Sequence, residues 1–261
     1  MPRILTYNVR HCLGIDGQLS PARIANVIAA CQPDVVALQE LDVNRARTGG
    51  VDQARVIADA LRMHLHFYPA IRVMEESYGD AILTTRPSKL VKAELLPSWG
   101  WRAFVEPRGA LWVSIDVGGI EIQVINTHLG VLEAPRVRQA DGLLGPDWLS
   151  HPACREPVIL AGDFNAVPGS RAYKRLAGRL RDAQTCPGTS RRQPTFPSRA
   201  PFLRLDHVFV GRSIEVLKAE VIRTPLARIA SDHLPLLVDF RVITAEQRAK
   251  ESSDTSLAED W

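Results

Sequence analysis

The sequence predicts a fold in which two β-sheets pack face to face, with helices on their outer faces. Three observations lead to this prediction. Apolar runs of strand length recur along the chain, Gly118-Gly119 joins two of them as a hairpin, and helical segments are interspersed among them. Strands that form hairpins and also alternate with helices are typical of layered folds with a core between sheets. The 261 residues fit one large sandwich, and no linker divides them.

Helix signals begin near the N-terminus. Ser20 and Pro21 supply an N-cap and a first-turn proline for a helix whose apolar face continues to Cys31. Pro33 ends this helix because its ring cannot continue the hydrogen-bond pattern. The other predicted helical segments are about Asp52–Met63, Ala134–Leu149 with a break at Gly145-Pro146, and a short segment after Ser170.

Strands are predicted wherever a short apolar or alternating run is bounded by turn residues. In most of them a polar residue follows the apolar run, at the point where the strand ends. In chain order the predicted strands are Arg3–Val9, Asp34–Glu40, Leu65–Ala70, Asp80–Thr84, Lys89–Leu96, Ala110–Val117, Ile120–Asn126, Pro157–Gly162, Leu205–Val210, Ile214–Ile222 and Leu236–Val242.

Charge is unevenly distributed along the chain. The whole sequence has a net charge of +3, but the segment 245–261 carries five acidic and two basic residues, so the remainder has a surplus of positive charge. This surplus favours anionic substrates. The acidic, serine-rich segment 245–261 lacks an apolar period, and we expect it to be a disordered tail after a single domain at 1–244.

The cysteines and the hydropathy indicate an intracellular protein. Cys12, Cys31, Cys154 and Cys186 show no CxxC spacing, so we expect reduced thiols and no zinc site. The chain opens directly on strand-like residues and contains no long apolar run. We therefore expect no signal peptide, no membrane span, a cytoplasmic location and a monomer.

The polar residues at the strand ends form the most informative pattern. Each alone is ordinary, because Asn and Asp commonly form turns and an isolated His is more often structural than catalytic. Their repetition in one topological place points to a site built on loops held by rigid strands. These residues are Asn8, Glu40, His128, Asp163, Asn165, Asp206, Asp232 and His233.

The segments around these residues resemble the successive motifs of the endonuclease/exonuclease/phosphatase superfamily, which includes deoxyribonuclease I, abasic-site endonucleases, neutral sphingomyelinases and inositol polyphosphate phosphatases. The resemblance spans about 3–242 and implies an α/β (α+β) four-layer αββα sandwich of two mostly antiparallel, mixed sheets. It also implies a metal-dependent phosphoesterase. The motifs are Thr6-Tyr7-Asn8-Val9-Arg10, Leu38-Gln39-Glu40, Asn126-Thr127-His128-Leu129, Gly162-Asp163-Phe164-Asn165, Leu205-Asp206-His207-Val208-Phe209 and Ser231-Asp232-His233-Leu234-Pro235.

By this resemblance, the oxygen-rich side chains would bind Mg²⁺, with Mn²⁺ as a substitute. Glu40 would bind the metal directly, with Asn8 beside it and Asp232 in support. Such a cation neutralises charge on a phosphate ester that water attacks.

The same resemblance assigns catalytic roles to the remaining residues. Asp163 and Asn165 would orient the attacking water and hold a phosphate oxygen. Asp206 would hydrogen-bond His233 and fix its tautomer, and the family leaves open whether His233 or Asp163 accepts the proton of water. His128 would assist the leaving group as a general acid, so its loss should harm alkyl esters more than a nitrophenyl ester.

The roles of several further polar residues are less certain from the sequence, and two of them have two possible roles each. Arg108 could reach a phosphate oxygen or remain a solvated loop cation, and His11 could line the rim of the site or be structural. Asp80 stands where bacterial relatives commonly have Asn, and we expect it to have a structural role at a strand start. His207 is expected to pack rather than to catalyse. His64, His66 and His151 lack motif context and are expected to be structural or exposed.

The substrate is left open by the sequence. Many arginines and two phenylalanines between Arg171 and Arg204 could form a wall against nucleic acid, or a solvated helix face with a loop. Nucleic acid, a phospholipid headgroup and a small phosphodiester are all compatible substrates. The alternative function is a catalytically silent binding domain on the same scaffold, although this chain keeps the metal-binding Glu, the Asp/Asn pair and the final His.

Overall fold

A computed structural model describes residues 1–97, 106–187, 189 and 192–243, and these residues form two six-stranded sheets packed face to face. The first sheet has the order β11-β12-β1-β2-β4-β3 and the second β5-β6-β7-β8-β10-β9. Only β1 with β2 and β7 with β8 are parallel, so both sheets are mixed and mostly antiparallel, as predicted. The strands are β1 (Arg3–Asn8), β2 (Val35–Val43), β3 (His64–Val73), β4 (Glu76–Thr84), β5 (Ser88–Leu95), β6 (Gly109–Val117), β7 (Ile120–His128), β8 (Val158–Asp163), β9 (Arg181–Asp182), β10 (Asp206–Val210), β11 (Ile214–Val221) and β12 (Leu236–Val242).

In the described part of the chain, five α-helices flank the sheets: α1 (Pro21–Cys31), α2 (Gln53–Leu61), α3 (Glu133–Leu144), α4 (Arg171–Ala177) and α5 (Pro225–Ala230). The predicted cap of α1 is present, since the Ser20 side chain accepts from the backbone N–H of Arg23. The Asp52 side chain caps α2 in the same way.

Two apolar clusters fix the layers. One combines residues of both sheets, such as Leu38 and Val113, with Ile28 of α1 and Ile57 of α2. The other packs α3 and α4 against the outer face of the second sheet, where Trp112 is among the largest buried side chains. The helices therefore lie on the outer faces, and the fold has the four layers α, β, β, α.

The sequence analysis missed two short elements and placed some ends differently. It did not predict β9, which has only two residues, or α5, whose Thr224 side chain caps the helix before a first-turn proline. Strand β3 runs to Val73 and β4 begins at Glu76, so this hairpin is longer than predicted. The segment predicted to be a disordered tail, 245–261, lies outside the described residues. Within the described ranges, no helix has the length and apolar character needed to cross a membrane.

Candidate active site

The site lies where strands of both sheets end at the same edge of the sandwich. Asn8 is the last residue of β1, His128 and Asp163 close β7 and β8, and Asp206 opens β10. The register places His128 opposite Asp163 and Asp163 opposite Asp206, so three polar side chains enter the site from adjacent strands. Strand pairing therefore brings together residues that are far apart in sequence.

A β-bulge turns Glu40 into the site. The register of β2 against β4 shifts between Leu38 and Leu41, which inserts one extra residue into β2. Glu40 has φ = 63°, in the left-handed region that a non-glycine residue rarely adopts. Its backbone N–H donates to the buried carboxyl group of Asp80. Asp80 thus supports the bulge that aims Glu40, but it lies in the middle of β4 and not at a strand start as expected.

A close contact between strands fixes Asp163. Gly162 has φ = 151°, and a Cβ atom at this position would lie 1.9 Å from the carbonyl oxygen of Thr127 on β7. Only glycine allows β8 to approach β7 so closely. Beyond the strand, the Asp163 Oδ1 accepts from the backbone N–H of Asn165 at 2.9 Å, and Asn165 has φ = 48°. This tight turn holds the two side chains on the same side of the loop.

Asn8 joins the two halves of the site. Its Nδ2 donates to Glu40 Oε1 and to Asp163 Oδ2, both at 2.9 Å, while its Oδ1 accepts from the backbone N–H of Arg10. Asn8 and Glu40 belong to the first sheet and Asp163 to the second. One buried amide therefore holds two carboxylates from different sheets next to each other.

His233 is fixed by Asp206. The His233 Nδ1 lies 2.9 Å from Asp206 Oδ2, and its Nε2 lies 3.7 Å from Asp163 Oδ2. The ring of Phe196 packs against the imidazole with 4.8 Å between ring centroids. The Asp206–His233 pair predicted from the motifs is present, with Nε2 facing the centre of the site.

His128 is buried between Arg108 and the carboxylates. Arg108 Nη1 lies 3.0 Å from His128 Nδ1, and His128 Nε2 lies 3.5 Å from Asp163 Oδ2 and 3.9 Å from Glu40 Oε1. Asn165 Nδ2 is 3.1 Å from the same Nε2 and donates to the carbonyl of Leu129. The imidazole therefore presents Nε2, and not Nδ1, to the site.

Burial shifts the titration of these groups. It raises the pKa of Asp163 and of Glu40, although the His233 charge and the Asn8 amide act in the opposite direction. For His233, burial alone would lower the pKa, but the carboxylates of Asp206 and Asp163 outweigh burial and raise it. Burial and the neighbouring Arg108 cation lower the pKa of His128.

The donor set fits a divalent cation. Asp163, Asp206 and His233 each offer a ligand atom, and these atoms lie within 4.8 Å of one another. Asp206 Oδ1 is buried without a hydrogen-bond partner among the described residues. The buried carboxylates of Glu40 and Asp163, whose pKa values are raised, are stabilised by a positive charge, and oxygen donors suit Mg²⁺ or Mn²⁺.

Three predicted residues lie outside this centre. Asp232 is at the rim, where its Oδ2 is 3.5 Å from Arg10 Nε. Arg108 is buried behind His128 rather than solvated, and its Nη2 pairs with Glu106 at 2.8 Å. The backbone carbonyl of His11 accepts from Gln53 Nε2 at the start of α2.

Two residues that support the site were missed in the sequence analysis. Arg136 Nη1 donates to the carbonyls of Val131 and Asn165 and so ties two site loops together. Asn126 crosses between the sheets, with its Nδ2 donating to Leu38 and Ala81 carbonyls. Its place in the motif that contains His128 was the signal, but a buried amide in a strand does not reveal its partners.

Of the remaining histidines, His64 is exposed, and His66, His151 and His207 make structural contacts, in line with the expectation. His207 stacks on Phe209, and its Nε2 lies 2.8 Å from the carbonyl oxygen of Ala166. His66 Nε2 contacts Ser88 Oγ at 2.9 Å, and His151 lies edge-on to the ring of Trp112.

Within the described part of the arginine-rich segment, two of the arginines make structural contacts. Arg204 pairs with buried Asp182, and Arg181 donates to the carbonyls of Gly211 and Ile214. Phe196 packs on His233, whereas Phe202 is 72% exposed. Arg191, which was also part of the expected wall, lies outside the described residues.

Comparison with known proteins supplies a family. The sequence model of the Endonuclease/Exonuclease/phosphatase family matches residues 5–233. The uncharacterized protein YbhP of Escherichia coli K12 is 32% identical over 173 residues. That match covers 64% of this chain and 64% of YbhP, which is less than two thirds of the relative.

Solved structures show the same fold. The mannosyl-6-phosphatase Bt3783 of Bacteroides thetaiotaomicron superposes with a TM-score of 0.75 at 24% identity, over 92% of this chain and 100% of that chain. The human Nocturnin catalytic domain with bound sulfate superposes with a TM-score of 0.70 at 24% identity, over 92% of this chain and 94% of that chain. A protein from Beutenbergia cavernae, described as an endonuclease/exonuclease/phosphatase, superposes with a TM-score of 0.71 at 24% identity, over 94% of this chain and 72% of that chain.

Proposed function

The chain belongs to the endonuclease/exonuclease/phosphatase family, and from this membership we propose that it hydrolyses phosphoester bonds at the site around Asp163. One observation carries the proposal. Asn8 donates to Glu40 and Asp163 at once, while His233 Nε2 lies 3.7 Å from the same Asp163 oxygen. Carboxylates suited to binding a metal ion and an imidazole hydrogen-bonded to a carboxylate thus lie in one buried centre. Hydrolysis by an activated water requires this arrangement.

We infer distinct roles for these side chains. Asp163 and Asn165, locked by their turn, orient the attacking water and a phosphate oxygen. Once its Nε2 is deprotonated, His233 presents Nε2 to the proton of that water, because Asp206 engages Nδ1. Mg²⁺ is the proposed cation, with Mn²⁺ as a substitute; Glu40 would hold it with Asn8 beside it, and Asp232 would support it from the rim. When bound, such a cation neutralises phosphate charge and stabilises the leaving oxygen.

The proposed substrate is a phosphodiester or phosphomonoester. The residues outside the acidic segment 245–261 carry a net positive charge. This charge fits a nuclease-like activity, or a phosphodiesterase activity on a small molecule or a phospholipid headgroup. Two structural neighbours are described as a mannosyl-6-phosphatase and as a domain with bound sulfate, and both descriptions involve a tetrahedral anion. The catalytically silent alternative gains no support, since the residues expected to be lost are present and converge.

The first test is metal-dependent hydrolysis of bis-(4-nitrophenyl) phosphate. We expect turnover with Mg²⁺ or Mn²⁺, loss of turnover in EDTA, and roughly 10²–10³-fold slower turnover for Glu40→Gln and for His233→Ala. The exposed Glu94→Gln on β5 is the matched control and should match the wild type. Mg²⁺ should also raise the Tm of the wild type more than that of Glu40→Gln, because a ligand that binds only the folded state stabilises it.

Absence of metal-dependent turnover on any ester would contradict the proposal and favour a binding domain. If turnover is found, the substrate class is resolved by a panel of substrates at fixed salt concentration: plasmid DNA, an abasic duplex, RNA, phospholipids, and matched mono- and diesters. Glu40→Gln and His233→Ala run beside each substrate. An activity that survives both substitutions belongs to a contaminating nuclease.

A further inference from the structure

His207 lies directly behind the turn that carries Asn165. It is fully buried in β10 next to Asp206, and successive side chains of a strand point to opposite faces, so Asp206 enters the site while the imidazole of His207 points away from it. Its Nε2 lies 2.8 Å from the carbonyl oxygen of Ala166, the residue after Asn165. A carbonyl oxygen only accepts, so the Nε2–H of His207 donates to it. The imidazole therefore holds the backbone of the turn.

Packing alone does not require an imidazole at this position. The ring of His207 stacks on Phe209 with 5.5 Å between ring centroids, and the rings of Phe164 and Tyr173 lie 5.8 and 5.2 Å away. A phenylalanine ring would make the same three contacts. It would have no donor for the carbonyl of Ala166. This hydrogen bond therefore distinguishes histidine from phenylalanine at position 207.

The imidazole is also held from its other side. Nδ1 of His207 lies 3.5 Å from Oδ2 of Asp182, and the same oxygen accepts from the hydroxyl of Tyr173 at 2.9 Å. Asp182 is buried and also accepts from Arg204. Packing and polar contacts on both sides fix the orientation of the imidazole. Its hydrogen bond can therefore fix where the carbonyl of Ala166 lies.

The turn has a backbone conformation that needs such support. Asn165 has φ = 48°, and left-handed residues other than glycine persist where the surrounding structure holds them. Two consecutive carbonyls of the turn are held by side chains, that of Asn165 by Arg136 and that of Ala166 by His207. We infer that His207 is a positioning residue that keeps Asn165 and Asp163 in the geometry that orients the attacking water. This inference rests on the proposed function.

Three substitutions separate the donor of His207 from its ring. His207→Gln places an amide nitrogen where Nε2 lies, His207→Asn places it near Nδ1 instead, and His207→Phe keeps the ring without a donor. For bis-(4-nitrophenyl) phosphate we expect the Phe and Asn variants to lower kcat per folded protein roughly 10–100-fold, and the Gln variant to retain most of it. His66→Phe is the matched control, because it removes an imidazole bonded to Ser88 on the edge strand β3, and it should keep the wild-type kcat.

Two further measurements show whether His207 acts through the turn. In an Asn165→Ala background, His207→Phe should lower kcat by a smaller factor than in the wild type, because the side chain that the turn positions is already absent. The backbone N–H of Asn165 donates to Oδ1 of Asp163 at 2.9 Å. This amide should exchange with deuterium faster in His207→Phe than in the wild type or in His207→Gln.

The outcomes separate this inference from the proposed function. Equal losses of kcat in His207→Gln and His207→Asn would overturn it, and so would a loss for His207→Phe that is the same with and without Asn165. An Asn165 amide that exchanges in the wild type as fast as an unstructured amide would also overturn it, and this measurement holds even if no variant folds. If the wild type hydrolyses no ester, the proposed function fails, while the exchange rates still decide whether His207 holds the turn.

Discussion

At the scale of single residues, Gly162 is the position where one added methyl group would disrupt the site. Its φ of 151° and the 1.9 Å approach of a Cβ to the Thr127 carbonyl are independent penalties. Strain at such a backbone conformation and overpacking each cost about 1–3 kcal/mol. We expect Gly162→Ala to lower the free energy of unfolding by about 2–6 kcal/mol, measured by urea denaturation, and to displace the adjacent Asp163.

The control for this prediction separates strain from steric overlap. Gly169 also has a positive φ, 93°, but a Cβ there would have no heavy atom within 4 Å. Gly169→Ala should therefore show the backbone cost alone, about 1–3 kcal/mol. Equal destabilisation by the two substitutions would contradict the role given to the contact between β7 and β8.

Asn8 and Asp163 could be predicted from the sequence because each ends an apolar run, whereas Asp206 and His233 lie at or before the start of a strand and were predicted from the motifs. Asn8, Asp163 and His233 lie where the motifs placed them. The contact of Arg108 with His128 could not be predicted, because the sequence shows only an arginine before a strand. The histidine lies at the end of the next strand, and the two side chains meet only after β6 and β7 pair.

At the scale of elements, a buried ionic network joins α4, β9 and β10 behind the site. The Asp182 carboxylate accepts from the Tyr173 hydroxyl and the Arg204 guanidinium, and from the backbone N–H of Gln184. His207 Nδ1 lies 3.5 Å from it. Burial alone would raise the pKa of Asp182, but His207, Arg204 and the backbone N–H outweigh it, so the pKa lies well below its ordinary value.

The network makes an acid-dependent contribution to stability. Because the folded pKa of Asp182 is depressed, its contribution is present above the unfolded value of about 3.9 and is lost as pH falls toward the folded pKa. Asp182→Asn should cost about 3–5 kcal/mol at pH 7, since a buried pair loses one partner. The difference from the wild type in urea unfolding should shrink below about pH 4.

The matched control is Asp59→Asn on the exposed face of α2, which should change stability by less than about 0.5 kcal/mol at every pH. A stability advantage of the wild type over Asp182→Asn that stays constant from pH 7 to pH 3 would refute the charge assigned to Asp182.

The helices of this fold were predictable where a cap preceded several apolar turns, as at Ser20. The two-residue strand β9 has no period, and its existence follows from pairing with β10.

At the scale of the whole molecule, the site works only if the two sheets keep their relative position. Glu40 belongs to the first sheet, whereas His128 and Asp163 belong to the second. The sequence predicted two sheets but not their strand order, because neighbours such as β1 and β12 are separated by nearly the whole chain. Long-range pairing is determined by packing of the finished core, not by local periodicity.

Asn126 holds the sheets in register next to the site. Its Nδ2 donates to the carbonyls of Leu38 at 2.8 Å and Ala81 at 2.9 Å, and its Oδ1 accepts from Gln39 Nε2 at 2.8 Å. Leu38 precedes Glu40 by two residues, and Asn126 precedes His128 by two. A shift at this amide would therefore move the metal-binding and imidazole halves of the site relative to each other.

Asn126→Asp tests this link at constant side-chain size. The new carboxylate oxygen would face two carbonyl oxygens, and each buried acceptor left without a donor costs about 1–3 kcal/mol. We expect a loss of about 2–6 kcal/mol in unfolding free energy at pH 7. Phosphodiester turnover should also fall in the fraction that remains folded. The exposed Asn26→Asp on α1 should stay within about 0.5 kcal/mol of the wild type. Full activity in a folded Asn126→Asp protein would show that the site does not depend on this amide, leaving the link through Asn8 to hold the two sheets together.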